Sequence, residues 1–219
     1  MFYRINVKQA DILSVEYPGY GLYEGEPNAK TILEDAEIVF DFLTAEVGIE
    51  PEKIILLGRS IGSGPATHLA AHRSPGALIL MSPYTSIRAV VKDMAGHLVS
   101  TLVAERFSNI DEIEKADCPC LFIHGKKDKV IPWEHSQSLF MKCRAATIIH
   151  LSETMTHNTF KLSNDIVNPI KKFLKPLDFK ENRKKVKFPE FVSKAPAKEY
   201  KGKDKSVSAK LAENVVYEL

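Results

Sequence analysis

Three short runs in this chain are apolar at every position, and they constrain its fold more than any other feature. They are Ile54-Ile55-Leu56-Leu57, Ala77-Leu78-Ile79-Leu80-Met81 and Cys120-Leu121-Phe122-Ile123. A strand points successive side chains to opposite faces, so a run apolar throughout is buried on both faces. Such strands belong to parallel sheets covered by helices on each side. Their length and their flanking Gly and Pro favour strands over buried helix segments. Residues 10–16 and 146–151 read as two further strands.

Helical patterns alternate with these runs. Asn28 is placed to cap a helix whose apolar face is Ile32, Ala36, Val39, Phe40, Leu43 and Val47, with Gly48 to stop it. A small-residue helix is expected over 63–71. An amphipathic helix follows, with Ile87, Val90, Val91, Met94 and Leu98 on one side. Further helices are expected over 133–143 and 166–174. The fold class is therefore α/β, a mostly parallel sheet with helices on both faces.

The chain has 219 residues, enough for one domain and a tail. The domain is read as residues 1–176. Residues 177–219 are Lys-rich, contain Pro189 and Pro196, and read as a disordered tail. That basic tail suits weak contact with a membrane surface or an acidic protein, although a tail without a partner is the plainer reading. A net charge of +2 gives no reason to expect a nucleic-acid partner. Cys118, Cys120 and Cys143 are odd in number and read as reduced thiols. No stretch reaches the roughly 18 apolar residues of a membrane span, and residues 1–10 lack a signal-peptide core. A cytoplasmic protein is expected, peripheral to membranes if the tail binds them. No cofactor is expected, and no metal: His68 and His72 have helical i, i+4 spacing but lack the H-E-x-x-H glutamate, so they read as a surface pair.

Gly58-Arg59-Ser60-Ile61-Gly62 fits G-x-S-x-G, a pattern that is weak alone. Here an apolar strand precedes it and a small-residue helix follows it, which is what a nucleophile elbow requires. Gly58 and Gly62 are read as elbow glycines, because bulk at either flank would clash. The turn sets Ser60 at a helix N-terminus, where the backbone N–H of Ile61 can donate to an oxyanion. The competing reading is a structural turn with an idle serine.

A serine hydroxyl needs a base, and the base needs an orienting carboxylate. His157 lies in a polar loop between the last strand and the last helix, at the sheet's C-terminal edge. Asp128 follows the strand before it, within reach of that imidazole. Asp117 precedes its strand and falls at the wrong end of the sheet. The expected site is Ser60, Asp128 and His157. The competing readings are an ordinary turn aspartate and a solvent-exposed histidine. The helix beginning at Ile87 and extending to Val103 is expected to wall an apolar acyl pocket with Tyr84, Met94 and Phe107, against the reading of plain core.

Taken together, Glu16-Tyr17-Pro18-Gly19-Tyr20-Gly21 with Gly25-Glu26-Pro27, the G-x-S-x-G segment, Leu80-Met81-Ser82-Pro83, Ile123-His124-Gly125 with Asp128 and Ile131, and His157-Asn158 resemble the alpha/beta hydrolase domain-containing protein 17 group. The resemblance implies an α/β-hydrolase fold and a Ser–Asp–His triad. For the best-known members it implies thioester hydrolysis removing palmitate from protein cysteines, so a lipidated protein is an implied substrate. That family also carries three earlier strands, a His-Gly-Asn-type loop giving a second oxyanion donor, and an N-terminal cysteine cluster. Nothing in this sequence matches them. The expectation is a fold lacking the first three strands, in which the strand at Ile12 pairs with the one at Ile54 or leaves a gap. The readings that stay open are an ester or thioester hydrolase, a lipid esterase or serine peptidase of the same fold, and a catalytically impaired fragment or paralogue that binds rather than cleaves.

Overall fold

The computed structural model describes residues 2–7, 10–21, 23–177 and 179. The chain opens with a hairpin. Strand β1 (Phe2–Val7) pairs antiparallel with β2 (Ala10–Val15), Phe2 opposite Val15 and Val7 opposite Ala10. Of the two arrangements expected for the Ile12 strand, pairing with the Ile54 strand or leaving a gap, the second is found; the hairpin is a separate two-stranded sheet. A short connection brings an antiparallel partner at little loop-closure cost, whereas a parallel partner needs a crossover.

Helix α1 (Ala29–Asp41) starts where Asn28 Oδ1 accepts the backbone N–H of Lys30 at 2.9 Å. Ile32, Ala36 and Phe40 form its buried stripe. A π turn over Phe42–Glu46 continues it, and Gly48 follows at φ +74°, a left-handed conformation that suits glycine.

The main sheet contains β3 (Ile55–Arg59), β4 (Ala77–Met81), β5 (Cys120–Gly125) and β6 (Thr147–Ser152). They run parallel in the order β3-β4-β5-β6. Helix α2 (Ser63–His72) joins β3 to β4. Helices α3 (Ile87–Ala95), α4 (His97–Thr101) and α5 (Asn109–Glu112) lie between β4 and β5. Helix α6 (Glu134–Lys142) joins β5 to β6, and α7 (Asn168–Leu174) follows β6.

Alternation along β4 and β5 divides the core in two. Leu78, Leu80, Cys120 and Phe122 pack with Ile113 and Leu139 on one face. Ala77, Ile79, Met81, Leu121 and Ile123 pack with Met155 and Phe173 on the other. Both strands are buried throughout, as their all-apolar composition requires. The Ile54–Leu57 run departs from that expectation. Among the described residues β3 is an edge strand, and Leu57 is 59% exposed while Leu56 packs inward.

The single helix expected from Ile87 to Val103 is broken. Gly96, at φ +86°, separates α3 from α4. Met94, Leu98 and Leu102 are exposed, so this segment is not plain core. At its base, Ile87 N–H donates to the Arg106 carbonyl, which closes the excursion on itself. After α7, Leu177 and Phe179 still pack against the second core. The tail read as starting at residue 177 thus does not start there, since Leu177 and Phe179 belong with the domain; residues 178 and 180–219, the rest of that stretch, lie outside the described residues. Among the described residues no helix is long and apolar enough to cross a membrane.

Candidate active site

The G-x-S-x-G segment forms the turn between β3 and α2. Ser60 takes φ +51°, in the left-handed region that a residue with a side chain rarely adopts. Gly58 makes this turn possible. A Cβ there would lie 2.5 Å from the Gly62 carbonyl oxygen and 2.7 Å from Ala66 Cβ. Gly62 is less constrained than the sequence suggested. Its φ is −66°, and a Cβ would make ordinary contact with the Tyr17 hydroxyl at 3.4 Å.

A buried polar chain braces the strained turn. Ser63 Oγ donates to the Ser60 carbonyl at 2.7 Å. Asn109, only 1% exposed, donates from Nδ2 to Ser63 Oγ (3.1 Å) and to the Tyr84 carbonyl (2.9 Å). The Tyr84 hydroxyl donates to the Ile61 carbonyl at 3.2 Å. These bonds satisfy polar groups that would be costly to bury unpaired and hold the backbone around Ser60 and Ile61.

The loops after β5 and β6 bring the other two side chains to the serine. His157 Nε2 lies 3.0 Å from Ser60 Oγ, and His157 Nδ1 lies 2.7 Å from Asp128 Oδ2. An ionised Asp128 can only accept, so it fixes the proton on Nδ1 and leaves Nε2 to accept from the Ser60 hydroxyl. The His157 side chain keeps 12% of its surface exposed, and that of Asp128 none.

Burial alone would raise the Asp128 pKa. Its hydrogen bonds outweigh that and hold the carboxyl well below the usual carboxylate range. Contacts with His124 and His157 contribute, with the backbone N–H groups of Ile131 and Val130, each 2.9 Å from Oδ1. His124 is itself fully buried. Its Nε2 is 2.9 Å from the Ile131 carbonyl, which can only accept, so Nε2 carries a proton. That proton also faces Asp128 Oδ2 at 3.4 Å, and Ser136 Oγ lies 2.7 Å from Nδ1.

The His157 loop is anchored from both sides. Arg59 Nη2 donates to the His157 carbonyl (2.5 Å) and to Asn158 Oδ1 (3.1 Å). Behind it, Lys127 N–H donates to the Met155 carbonyl (3.2 Å), and Gly125 leaves no room for a Cβ, which would meet that carbonyl at 2.1 Å.

The structure therefore brings Ser60, Asp128 and His157 into one hydrogen-bonded line, with Ile61 beside it. It does not gather Tyr84, Met94 and Phe107 into one wall. Tyr84 is 1% exposed, buried in the core, and burial pushes its hydroxyl pKa up. Met94 faces solvent. Phe107, at φ +47°, closes on α2, where a Gly64 Cβ would lie 2.6 Å from its ring. Asp117 lies at the opposite end of the sheet, beside Glu52 and Lys53 on an open groove of about 690 Å³.

Sequence reasoning missed Arg59, Asn109 and His124. Arg59 stood within the motif, but the pattern treats that position as variable. His124 closes an apolar strand at the edge that also presents Asp128, a placement that could have flagged it. Asn109 carries no sequence signal, because its partners are distant in the chain.

A parallel sheet flanked by helices, with a serine on a left-handed strand–helix turn and an Asp–His pair on the following loops, defines a class of fold: the chain has the α/β-hydrolase fold. Within that class it is similar to alpha/beta hydrolase domain-containing protein 17B of Homo sapiens, 36% identical over 172 residues. The match covers 78% of this chain and 57% of that protein, so the chain spans little more than half of this relative's length. Among solved structures it is similar to an alpha-beta hydrolase from Vibrio vulnificus (TM-score 0.64, 21% identity, 75% of this chain and 64% of that one). A monoacylglycerol lipase from Paleococcus ferrophilus is also similar (TM-score 0.52, 18% identity, 77% and 82%). At these identities the structural matches speak for the fold alone. No family model matches the chain.

Proposed function

We propose that the chain is a serine hydrolase that cleaves an ester or thioester through an acyl-Ser60 intermediate. The observation that carries this reading is the unbroken line from Asp128 through His157 to Ser60 Oγ. As Oγ attacks the acyl carbonyl, His157 Nε2 takes its proton, and Asp128 stabilises the imidazolium. The oxyanion forms beside the Ile61 N–H, at the start of the turn that leads into α2. Collapse expels the alcohol or thiol, which takes the proton back from His157. Water, deprotonated by the same nitrogen, then releases the acid and restores Ser60.

The finer reading is a thioester substrate, a palmitoylated cysteine of a protein. It rests on the likeness to the domain-containing protein 17 group. A lipid ester and an aminoacyl bond are the alternatives within the same chemistry. Hydrolysis rates on palmitoyl-thioester, monoacylglycerol and aminoacyl substrates rank the three.

The open face of β3, with Leu57 exposed, favours a second reading, a chain that binds a partner and does not turn over. A fluorophosphonate probe separates the two. Labelling of the full chain that disappears in Ser60→Ala supports the hydrolase, and a folded sample that takes no label sinks it.

A further inference from the structure

At the far end of α2 from Ser60, two histidines and a glutamate converge. His68 and His72 sit one helical turn apart on the same face, with ring centroids 4.5 Å apart. Glu112, the last residue of α5, meets them from the facing segment. One donor atom from each of the three lies within 4.8 Å of the other two. The sequence showed only the histidine pair, because the carboxylate arrives from another element.

We infer that His68, His72 and Glu112 form a binding site for Zn²⁺. Two imidazoles and a carboxylate are a donor set that zinc accepts, with a water completing four-coordination. The Zn–N and Zn–O distances put tetrahedral donors about 3.3 Å apart, so modest side-chain movement closes the cluster on an ion. The side chains of His72 and Glu112 are 39% and 26% exposed, which leaves them that freedom and leaves a path for the ion.

Two details of the site point to a cation. Glu112 Oε2 is buried and receives no well-directed hydrogen bond, although His72 Nε2 is 2.8 Å away. A metal between them would satisfy both atoms. Around the cluster, Glu37 Oε1 lies 2.6 Å from His68 Nε2, and Lys115 reaches Glu112 Oε1 at 3.2 Å. Two carboxylates against one ammonium leave net negative charge for a divalent ion to neutralise. Glu37 also holds the His68 ring in place, as an outer carboxylate commonly does for a metal-bound histidine. The ion would clasp α2 to α5, and so would tighten the helix whose other end carries the elbow. The inference is independent of the hydrolase reading.

The test is a Zn²⁺ titration of the chelator-treated full chain, followed by calorimetry and melting temperature. One equivalent should bind saturably and raise the melting temperature. His72→Gln and Glu112→Gln, which each remove a direct ligand, should weaken binding by more than the roughly 10- to 100-fold that loss of an outer carboxylate costs. Replacing Cys118, Cys120 and Cys143 by Ser should leave it unchanged. Co²⁺ should give visible d–d bands without a thiolate charge-transfer band. Circular dichroism of the two glutamine variants in chelator should match the parent, which separates lost binding from lost folding. Absence of saturable binding, unchanged affinity in His72→Gln, or a thiolate band would each overturn the inference.

Discussion

Asp128 is kept ionised by its own loop and by two imidazoles, and this has a consequence for pH. Its folded pKa lies below the unfolded value of about 3.9. The stability it contributes is therefore fully present above that value and is lost as pH falls below it, toward the depressed folded pKa. The difference in urea midpoint between the parent and Asp128→Asn should be constant near neutrality and should shrink below about pH 4. In the hydrolase reading, Asp128→Asn also lowers kcat by about 10³- to 10⁴-fold, since an amide no longer enforces the Nδ1–H tautomer. Arg59 acts one step further out. Arg59→Ala removes both anchors of the His157–Asn158 segment. It should reduce kcat/KM on a short acyl ester about tenfold without abolishing Ser60 labelling. At this scale the sequence exposed what chemistry and local order dictate: a serine in its motif, an acid and a base after successive strands. It hid Arg59 and Asn109, whose roles depend on chain segments that meet only in the fold.

The elbow is an element whose stability depends on one missing methyl group. Gly58→Ala forces a Cβ against the Gly62 carbonyl and Ala66, and should cost about 1–3 kcal/mol in urea unfolding. Gly62→Ala meets only ordinary contact and should cost clearly less. The reverse ranking would show that the turn differs from the one described. β4, β5 and α1 were legible because their side-chain periods match burial on two faces and on one stripe. The break at Gly96 was not, since the apolar spacing of Met94 and Leu98 runs straight across a glycine that could have been tolerated in a helix.

For the molecule as a whole, the sheet has an open edge at β3 among the described residues, with Leu57 and Ile55 turned to solvent. Exposed apolar edge strands template association. Leu57→Glu should shift sedimentation toward monomer at high concentration while leaving Ser60 labelling intact. This edge was invisible in the sequence, where Ile54 to Leu57 looks as buried as its neighbours; composition reports apolarity, not which strand is last. The amino-terminal hairpin was missed for a related reason. Residues 10–16 read correctly as a strand, but the partner is set by loop length and not by apolarity.

In the proposed hydrolase, Ser60 carries an acyl group during turnover. Intact-mass and peptide-mapping spectrometry of the chain, quenched early in its reaction with a short p-nitrophenyl ester, tests this directly. One acyl group should appear on the peptide containing Ser60, be absent in Ser60→Ala, and fall sharply in His157→Ala. A folded chain with no adduct, or an adduct that survives Ser60→Ala, would contradict the account.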